Sequence, residues 1–501
     1  MIKSYDLKDK LSFNKLFFLF FAFSLVSGPL IPEILILLLI INFICQNKTS
    51  LLISKNLRTI FIFLISFYLY LNLNTLLFSF DFKISLKSTL PYLRLILFCF
   101  IISVILKSED SKRIINYFIF SFLLLLLILL FDSIVQLNTG QNILGHRYFS
   151  GRITSLFNEE QILGSFVVKI LPIILSFLYI IELKNKKYLK ILFIFLTFIL
   201  ILLSSERIAL VQYIFIVFLI IFIDTKNLKT FFSSLIIFLS LIIIALNLYA
   251  PGMKRIKDAT LEQFNSSTTF LAPSYRHELH YHNAILMFLD KPIFGNGIKS
   301  FRYICSNYDN LVQDKINTDK AIYAPYDGIA TQVENYNDEN FDVIKFQKKP
   351  KSKNSIDEYT IFHYNNLYKK FNSKINSKNL IKKDEFLLAS FEYPSGCNTH
   401  PHNYFLQFLS ELGSIGFVFY VISFLFILIK FFKIILKKCL RNKINNLQKS
   451  VYIISGSILI ELMPLIPSGN FFNNWLSMIF YFKLGLLLFF LEKSYNKKDY
   501  V

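Results

Sequence analysis

Several things missing from this chain narrow what it can do. No H-E-x-x-H motif occurs, and the nearest approach, His277-Glu-Leu-His280, has the wrong spacing for a zinc-bound helix. Acidic residues are scarce, 33 Asp+Glu against 54 Lys+Arg, and they assemble no carboxylate-rich cage for a cation. His277, His280, His282, His400 and His402 are enough ligands for a zinc ion, but without that spacing or cage neither a catalytic metal nor a cofactor is expected. No internal repeat is visible, against the paired halves of a secondary transporter or flippase. The formal charge is +21, yet there is no single basic face or stacking platform, so nucleic acid is not expected as a partner. The first apolar run lacks a small-residue cleavage site and another run follows at once, so it reads as retained rather than as a signal peptide.

What is present in abundance is apolar sequence. Of 501 residues, 54% are hydrophobic, with 57 Phe against 1 Trp. Stretches such as 114–130 and 231–249 are nearly free of charge and long enough to cross about 30 Å of hydrocarbon. In lipid every backbone polar group must be satisfied within the chain, so these runs are helices, and the shorter alternating pattern of barrel strands does not fit them. The expected fold is an all-α polytopic membrane protein of about twelve transmembrane helices, read with a window near twenty residues. The expected spans are 16–26, 32–45, 60–77, 92–106, 114–130, 162–181, 189–203, 208–223, 231–249, 415–435, 451–465 and 475–491.

Basic residues orient these spans. Lys15, Lys55, Arg58, Lys107, Arg113, Lys186, Lys190, Lys226, Lys438, Arg441 and Lys493 all fall on one side if twelve spans are counted, with Lys83 and Lys87 as minor exceptions. Both termini are then cytoplasmic in a bacterial inner membrane. Residues 1–250 carry the first nine helices, 251–401 form a large periplasmic loop between helices nine and ten, and 402–501 carry an amphipathic helix and the last three spans. Cys305 and Cys397 flank the centre of that loop, where an oxidising compartment favours pairing over two free thiols. Closing so long a loop would contribute about 4 kcal/mol in the chain-entropy model.

Charge inside the spans collects toward the outer half: Arg94, Asp132, Lys169, Glu206, Arg207 and Glu461, with Lys483 nearer the middle. A path through the membrane would spread such groups through its depth; a one-sided cluster suits a site facing the outer leaflet. Snorkelling or structural pairing is the plain alternative for any one of them. Two further segments belong to the outer side. Residues 274–290 read as a helix capped by Ser274 and stopped by Pro292, with Arg276, His280 and Asn283 on one face. Residues 397–413 read as a helix with Pro401 at its first position, His402 and Asn403 in its first turn and Gly413 as its stop. The positive end of such a helix disfavours imidazolium, so a neutral His402 there suits a general base; a capping histidine at the interface is the other reading.

Taken in order, Arg152–Ser165, the Ser204–Leu210 stretch around Arg207, Arg276, Pro292-x-x-Gly295-x-Gly297, His402-Asn403 and Glu411-x-Gly413-x-x-Gly416 resemble the O-antigen ligase and O-antigen polymerase superfamily. The resemblance covers most of the chain. It implies a metal-independent membrane glycosyltransferase that takes a glycan from an undecaprenyl-diphosphate carrier at the periplasmic face. The acceptor is lipid A–core for a ligase or a second carrier-linked glycan for a polymerase, with membrane lipids around it. Carried onto these residues, Arg207 and Arg276 bind the donor diphosphate and His402 activates the acceptor hydroxyl. Arg152, Glu160, His400, Asn403 and Glu411 support them. His280, where an aromatic is common, and the long polar insert at 306–395 depart from the family pattern and bear on which acceptor is used.

Overall fold

The computed structural model describes residues 12–46, 54, 57–108, 110–147, 152–158, 160–248, 275–308, 328–333, 341–348, 359–365, 397–441, 444–464 and 466–496. Each of the twelve expected apolar segments forms a helix. In chain order these are α1 (Phe13–Ser24), α2 (Leu30–Cys45), α3 (Arg58–Leu77), α4 (Phe82–Thr89) running on into α5 (Leu93–Ile105), α6 (Ser111–Thr139), α7 (Leu163–Ile180), α8 (Lys186–Ser204), α9 (Arg207–Asp224) and α10 (Leu228–Leu248). After the polar α11 (Tyr275–Asp290) and the short α12 (Phe301–Ile304) come α13 (Tyr404–Arg441), α14 (Asn446–Glu461) and α15 (Asn474–Asn496). Among the described residues nine helices are long and apolar enough to cross a membrane, whereas α1, α2 and α14 have 12, 16 and 16 residues.

The all-α expectation holds for the apolar segments but not for the polar interval. There, strands Gly328–Val333, Phe341–Lys348 and Tyr359–Asn365 form an antiparallel three-stranded sheet in sequential order. A span-length window averages away such short runs of β-branched and aromatic residues, which are what strands favour. Most of the interval's centre, and Ser274, expected as a cap, lie outside the described residues.

The bundle has two distinct ends. At one, basic side chains from several loops meet the few acids: Asp224 takes Lys190 at 3.1 Å, Lys449 at 2.6 Å and the Tyr179 hydroxyl at 2.8 Å, while Lys15 pairs with Asp110 at 3.5 Å and Lys107 with Glu492. The other end carries α11, α12, the start of α13 and the 463–473 loop. Between them the core is built from phenylalanine. Phe18, Phe21, Phe98, Phe118 and Phe482 bring α1, α5, α6 and α15 together, and the Phe118 and Phe482 rings stack at 5.4 Å. Inside lipid such close ring packing, rather than release of water, holds helices together.

Charges marked individually in the sequence find partners here. Arg94 donates to Glu33 at 2.6 Å, and Asp132 accepts from the Ile143 amide at 2.8 Å and the Ser155 hydroxyl at 2.7 Å. The first ties α5 to α2, and the second ties α6 to the segments that follow it.

Candidate active site

The first turn of α13 is set by Asn403. Its side-chain oxygen accepts from the Leu406 amide at 3.2 Å and its carbonyl from the Gln407 amide at 2.9 Å, so it is the cap of the helix. His402 therefore lies before the helix and not in its first turn, a correction to the sequence reading. Its φ of 55° is in the left-handed region, which a residue other than glycine adopts only when its surroundings impose it. The 463–473 loop imposes it. The Ser468 amide donates to the His402 carbonyl at 2.8 Å, the Ser468 hydroxyl accepts from the Tyr404 amide at 2.9 Å, and the Asn403 amide group donates to the Pro464 carbonyl. Gln407 extends the brace: its amide nitrogen donates to Asn470 at 2.8 Å and to Glu411 at 3.1 Å, and its oxygen accepts from the Phe471 amide at 2.9 Å.

Three further imidazoles surround this point. The His402 ring centroid lies 4.2 Å from that of His400, 5.1 Å from His280 and 5.6 Å from His277. His402 Nε2 is 3.0 Å from the Asn398 side-chain amide nitrogen. With that amide donating, the ring is the neutral tautomer protonated on Nδ1, and Nε2 carries the lone pair. His400 is buried; burial first, then the neighbouring His280 and Arg302, hold it down to about 4, well below an ordinary imidazole, so it stays neutral near pH 7. Among the described residues no group of three or more His, Cys, Asp or Glu is placed to hold a metal ion.

The turn of Pro292, Gly295 and Gly297 and the break of α13 at Gly413 prove to be one interlocked unit. Gly413 has φ 65° and ψ −167° inside an otherwise continuous helix. The Gly297 amide donates to the Glu411 carbonyl at 2.8 Å, and the Ser414 amide to the Pro292 carbonyl at 2.8 Å, so each chain satisfies groups that the break leaves open. The two backbones touch: a Cβ on Gly295 would lie 2.5 Å from the Gly413 nitrogen. From α3, Tyr70 donates to the Leu412 carbonyl at 2.5 Å and Asn74 to the Phe294 carbonyl at 2.6 Å. α11 is thereby fixed to α13, with His280 and Asn283 on its buried face.

Cys305 and Cys397 are joined in a disulfide, Cα–Cα 5.7 Å, beside a small core of Ala284, Met287 and Phe301. It ties the segment after α11 directly to the loop bearing His400 and His402. Replacing both cysteines by serine, or adding reductant, should lower stability by about 4 kcal/mol for a closed loop of this length. Unfolding temperature with and without reductant checks this; equal values would show that the bridge constrains nothing.

The arginines sit on a second group of elements. Arg207 is the first residue of α9, and the preceding Glu206 reaches to the start of α7. Its carboxylate accepts from the Gly164 amide at 2.6 Å and from the Ser165 amide at 3.1 Å and hydroxyl at 2.5 Å, a negative charge at a helix N-terminus. Arg152 lies close enough to feel both neighbours. Burial lowers its proton affinity, Glu206 offsets part of that, and Arg207 adds to it. Thus the expected segments around Arg152, Gly164 and Arg207 converge. Lys169, about 7.5 Å further along α7 by helical rise, donates to Glu461 at 3.1 Å. Glu461 stands three residues before the Pro464 that holds Asn403, so the arginine and histidine groups occupy the same end of the bundle.

Of the other expected site residues, Glu411 is buried and bonded to Gln407, behind the glycine junction. Glu160 is exposed; its amide donates to the Phe157 carbonyl at 3.0 Å, which makes it part of a turn. Arg276 lies in the first turn of α11, one residue before His277, and its side chain is outside what is described. Sequence reasoning missed Asn398, Gln407, Ser468 and Asn470. The signal for the last two is the proline- and glycine-bearing loop between the last two spans.

The fold defines a polytopic helical membrane protein, with a histidine cluster and an arginine group at the same end of its bundle. Residues 192–324 match the O-antigen ligase family model, which bears out the resemblance to the O-antigen ligase superfamily. The matched segment runs from α8 past α12 and holds Arg207, Arg276, Gly295 and Gly297. No curated protein matches the chain.

Proposed function

We propose that this protein transfers a glycan from an undecaprenyl-diphosphate carrier to a hydroxyl of lipid A–core at the periplasmic face of the bacterial inner membrane. In this reading all twelve apolar helices cross, both termini are cytoplasmic, and residues 251–401 are periplasmic. The gathering of lysines at the end of the bundle opposite His402 supports that sidedness.

The observation that carries the reading is His402 itself. It is a backbone-strained, triply braced residue whose Nε2 lies 3.0 Å from the Asn398 amide nitrogen, at the same end as Arg152 and Arg207. The acceptor oxygen attacks the anomeric carbon while that carbon's bond to the diphosphate oxygen breaks. The bonding pair leaves with the diphosphate, and the acceptor's proton passes to His402 Nε2, the hydroxyl having taken the place of the Asn398 amide. Guanidinium groups of Arg207 and Arg276 neutralise the leaving group, since their planar forks suit phosphate oxygens and never lose their charge. Arg152, Glu160, His400, Asn403 and Glu411 support these three. The scheme calls on no metal and no cofactor.

Reconstitution in vesicles with a labelled carrier-linked glycan and lipid A–core tests it. Label on lipid A–core is the expected result; a lengthened carrier-linked chain would make the protein a polymerase, and transport without a new bond would overturn transfer altogether. Arg207→Lys and Arg276→Lys should each slow transfer by about 10²-fold. Full activity in both would remove the diphosphate clamp.

A further inference from the structure

Lys169, Glu461 and Lys483 come from α7, α14 and α15 and meet inside the bundle. Both ammonium groups bind the same oxygen, Glu461 Oε1, Lys483 at 2.7 Å and Lys169 at 3.1 Å. Neither lysine pairs with another acid among the described residues, so the triad carries one positive charge more than it neutralises. A buried charge without compensation is costly in a membrane protein, and one lysine would suffice if the only task were to satisfy Glu461. The two lysines also differ. The Lys483 side chain is 1% exposed and makes the shorter bond, while that of Lys169 is 11% exposed and makes the longer one. Lys169 is the member able to change partner.

Its place on α7 says what that partner is. Residues four apart share a helix face, and four residues before Lys169 stands Ser165, which holds the Glu206 carboxylate. Lys169 is thus one turn below the junction that presents Arg207. On its other side, Glu461 leads within three residues to Pro464 and the brace on His402. Lys169 is thus tied on one side to the element that anchors the arginine group and on the other to the one that braces the general base.

We propose that Lys169 is a direct ligand of the donor diphosphate, held ready by a carboxylate that it shares with Lys483 and released from it when phosphate oxygens arrive. This rests on the reading of the protein as a transferase using a diphosphate-linked lipid. Lysine suits the task because its ammonium is a compact point charge on a flexible stem, able to move from a carboxylate to a phosphate. The ligand class is a diphosphate ester, and the excess charge of the triad is what the free protein keeps in store for it.

The test uses the full-length protein in nanodiscs, with glycan-free undecaprenyl diphosphate as probe and undecaprenol as the uncharged control. Wild type should bind the diphosphate lipid more tightly than undecaprenol. Lys169→Met, which leaves the Glu461–Lys483 pair intact, should lower that affinity by about 10- to 100-fold, the loss of one charge-assisted contact. Its ligand-free unfolding temperature should stay near wild type. Glu461→Gln leaves two unneutralised ammonium groups; its ligand-free unfolding temperature should fall, and the diphosphate lipid should raise it by more than in wild type. If Lys169→Met binds like wild type while Arg207→Met loses binding, the inference is overturned and the transferase reading stands. If the lipid does not restore Glu461→Gln, the triad is a structural brace and the inference fails. If wild type does not distinguish diphosphate lipid from undecaprenol, the transferase reading fails with it.

Discussion

Replacing His402 by alanine should lower glycan transfer by about 10²- to 10⁴-fold while leaving the protein inserted and folded. The residue earns this expectation from its backbone as much as its ring. A left-handed conformation imposed through the carbonyl, the following cap and the next amide fixes the direction of Cβ, and the ring is enclosed by His277, His280 and His400. Alanine keeps those backbone bonds, so stability should change little. Transfer at the wild-type rate by this variant would remove the general base from the mechanism. A general loss of folded protein would instead mean that the imidazole cluster is a packing element.

Gly413→Ala should lower stability by about 2–6 kcal/mol. Two costs add: about 1–3 kcal/mol for a side chain at φ 65° and ψ −167°, a backbone region that essentially only glycine adopts, and about 1–3 kcal/mol for forcing a methyl group into a packed contact. Here the contact is backbone, the carbonyl of Ile293, which cannot rotate away. Gly140→Ala is the control. Its φ is also positive, 77°, but its ψ of −3° is in the milder left-handed region and no atom lies within 4 Å of the added Cβ, so it should lose only about 1–2 kcal/mol. Unfolding temperatures of the two variants separate the terms, and equal losses would show that the glycine junction is not tight. Because the junction joins α11 to α13, Gly413→Ala should also lose transfer activity.

The helices were legible because a membrane imposes a pattern on every residue of a span; only the short α1, α2 and α14 fall below full crossing length. The strands were not legible at that scale. At the site, residue types were easier to read than their pairing. Lys169, Glu461 and Lys483 each stood out as charges in apolar sequence, but no spacing relates positions separated by 292 residues in the chain. The same holds for Gly295 and Gly413, each readable as a turn or stop and meaningful only in contact. The start of α13 was missed by three residues, Tyr404 against Pro401, because proline suits a first helical position, yet the Asn403 side chain was the better cap. Glu160 was legible only as part of its segment: its side chain is exposed and its amide closes a turn on Phe157.

The disulfide also governs how the polar insert of this chain can vary. The chain departs at Cys305 and returns at Cys397, 92 positions later, to Cα atoms only 5.7 Å apart. An excursion whose two ends are riveted together exerts no leverage on what it leaves. Whatever length or sequence grows between those cysteines, the imidazoles and the glycine junction keep their places. The insert behaves as an interchangeable attachment, free to diversify while the chemistry beneath it is held constant.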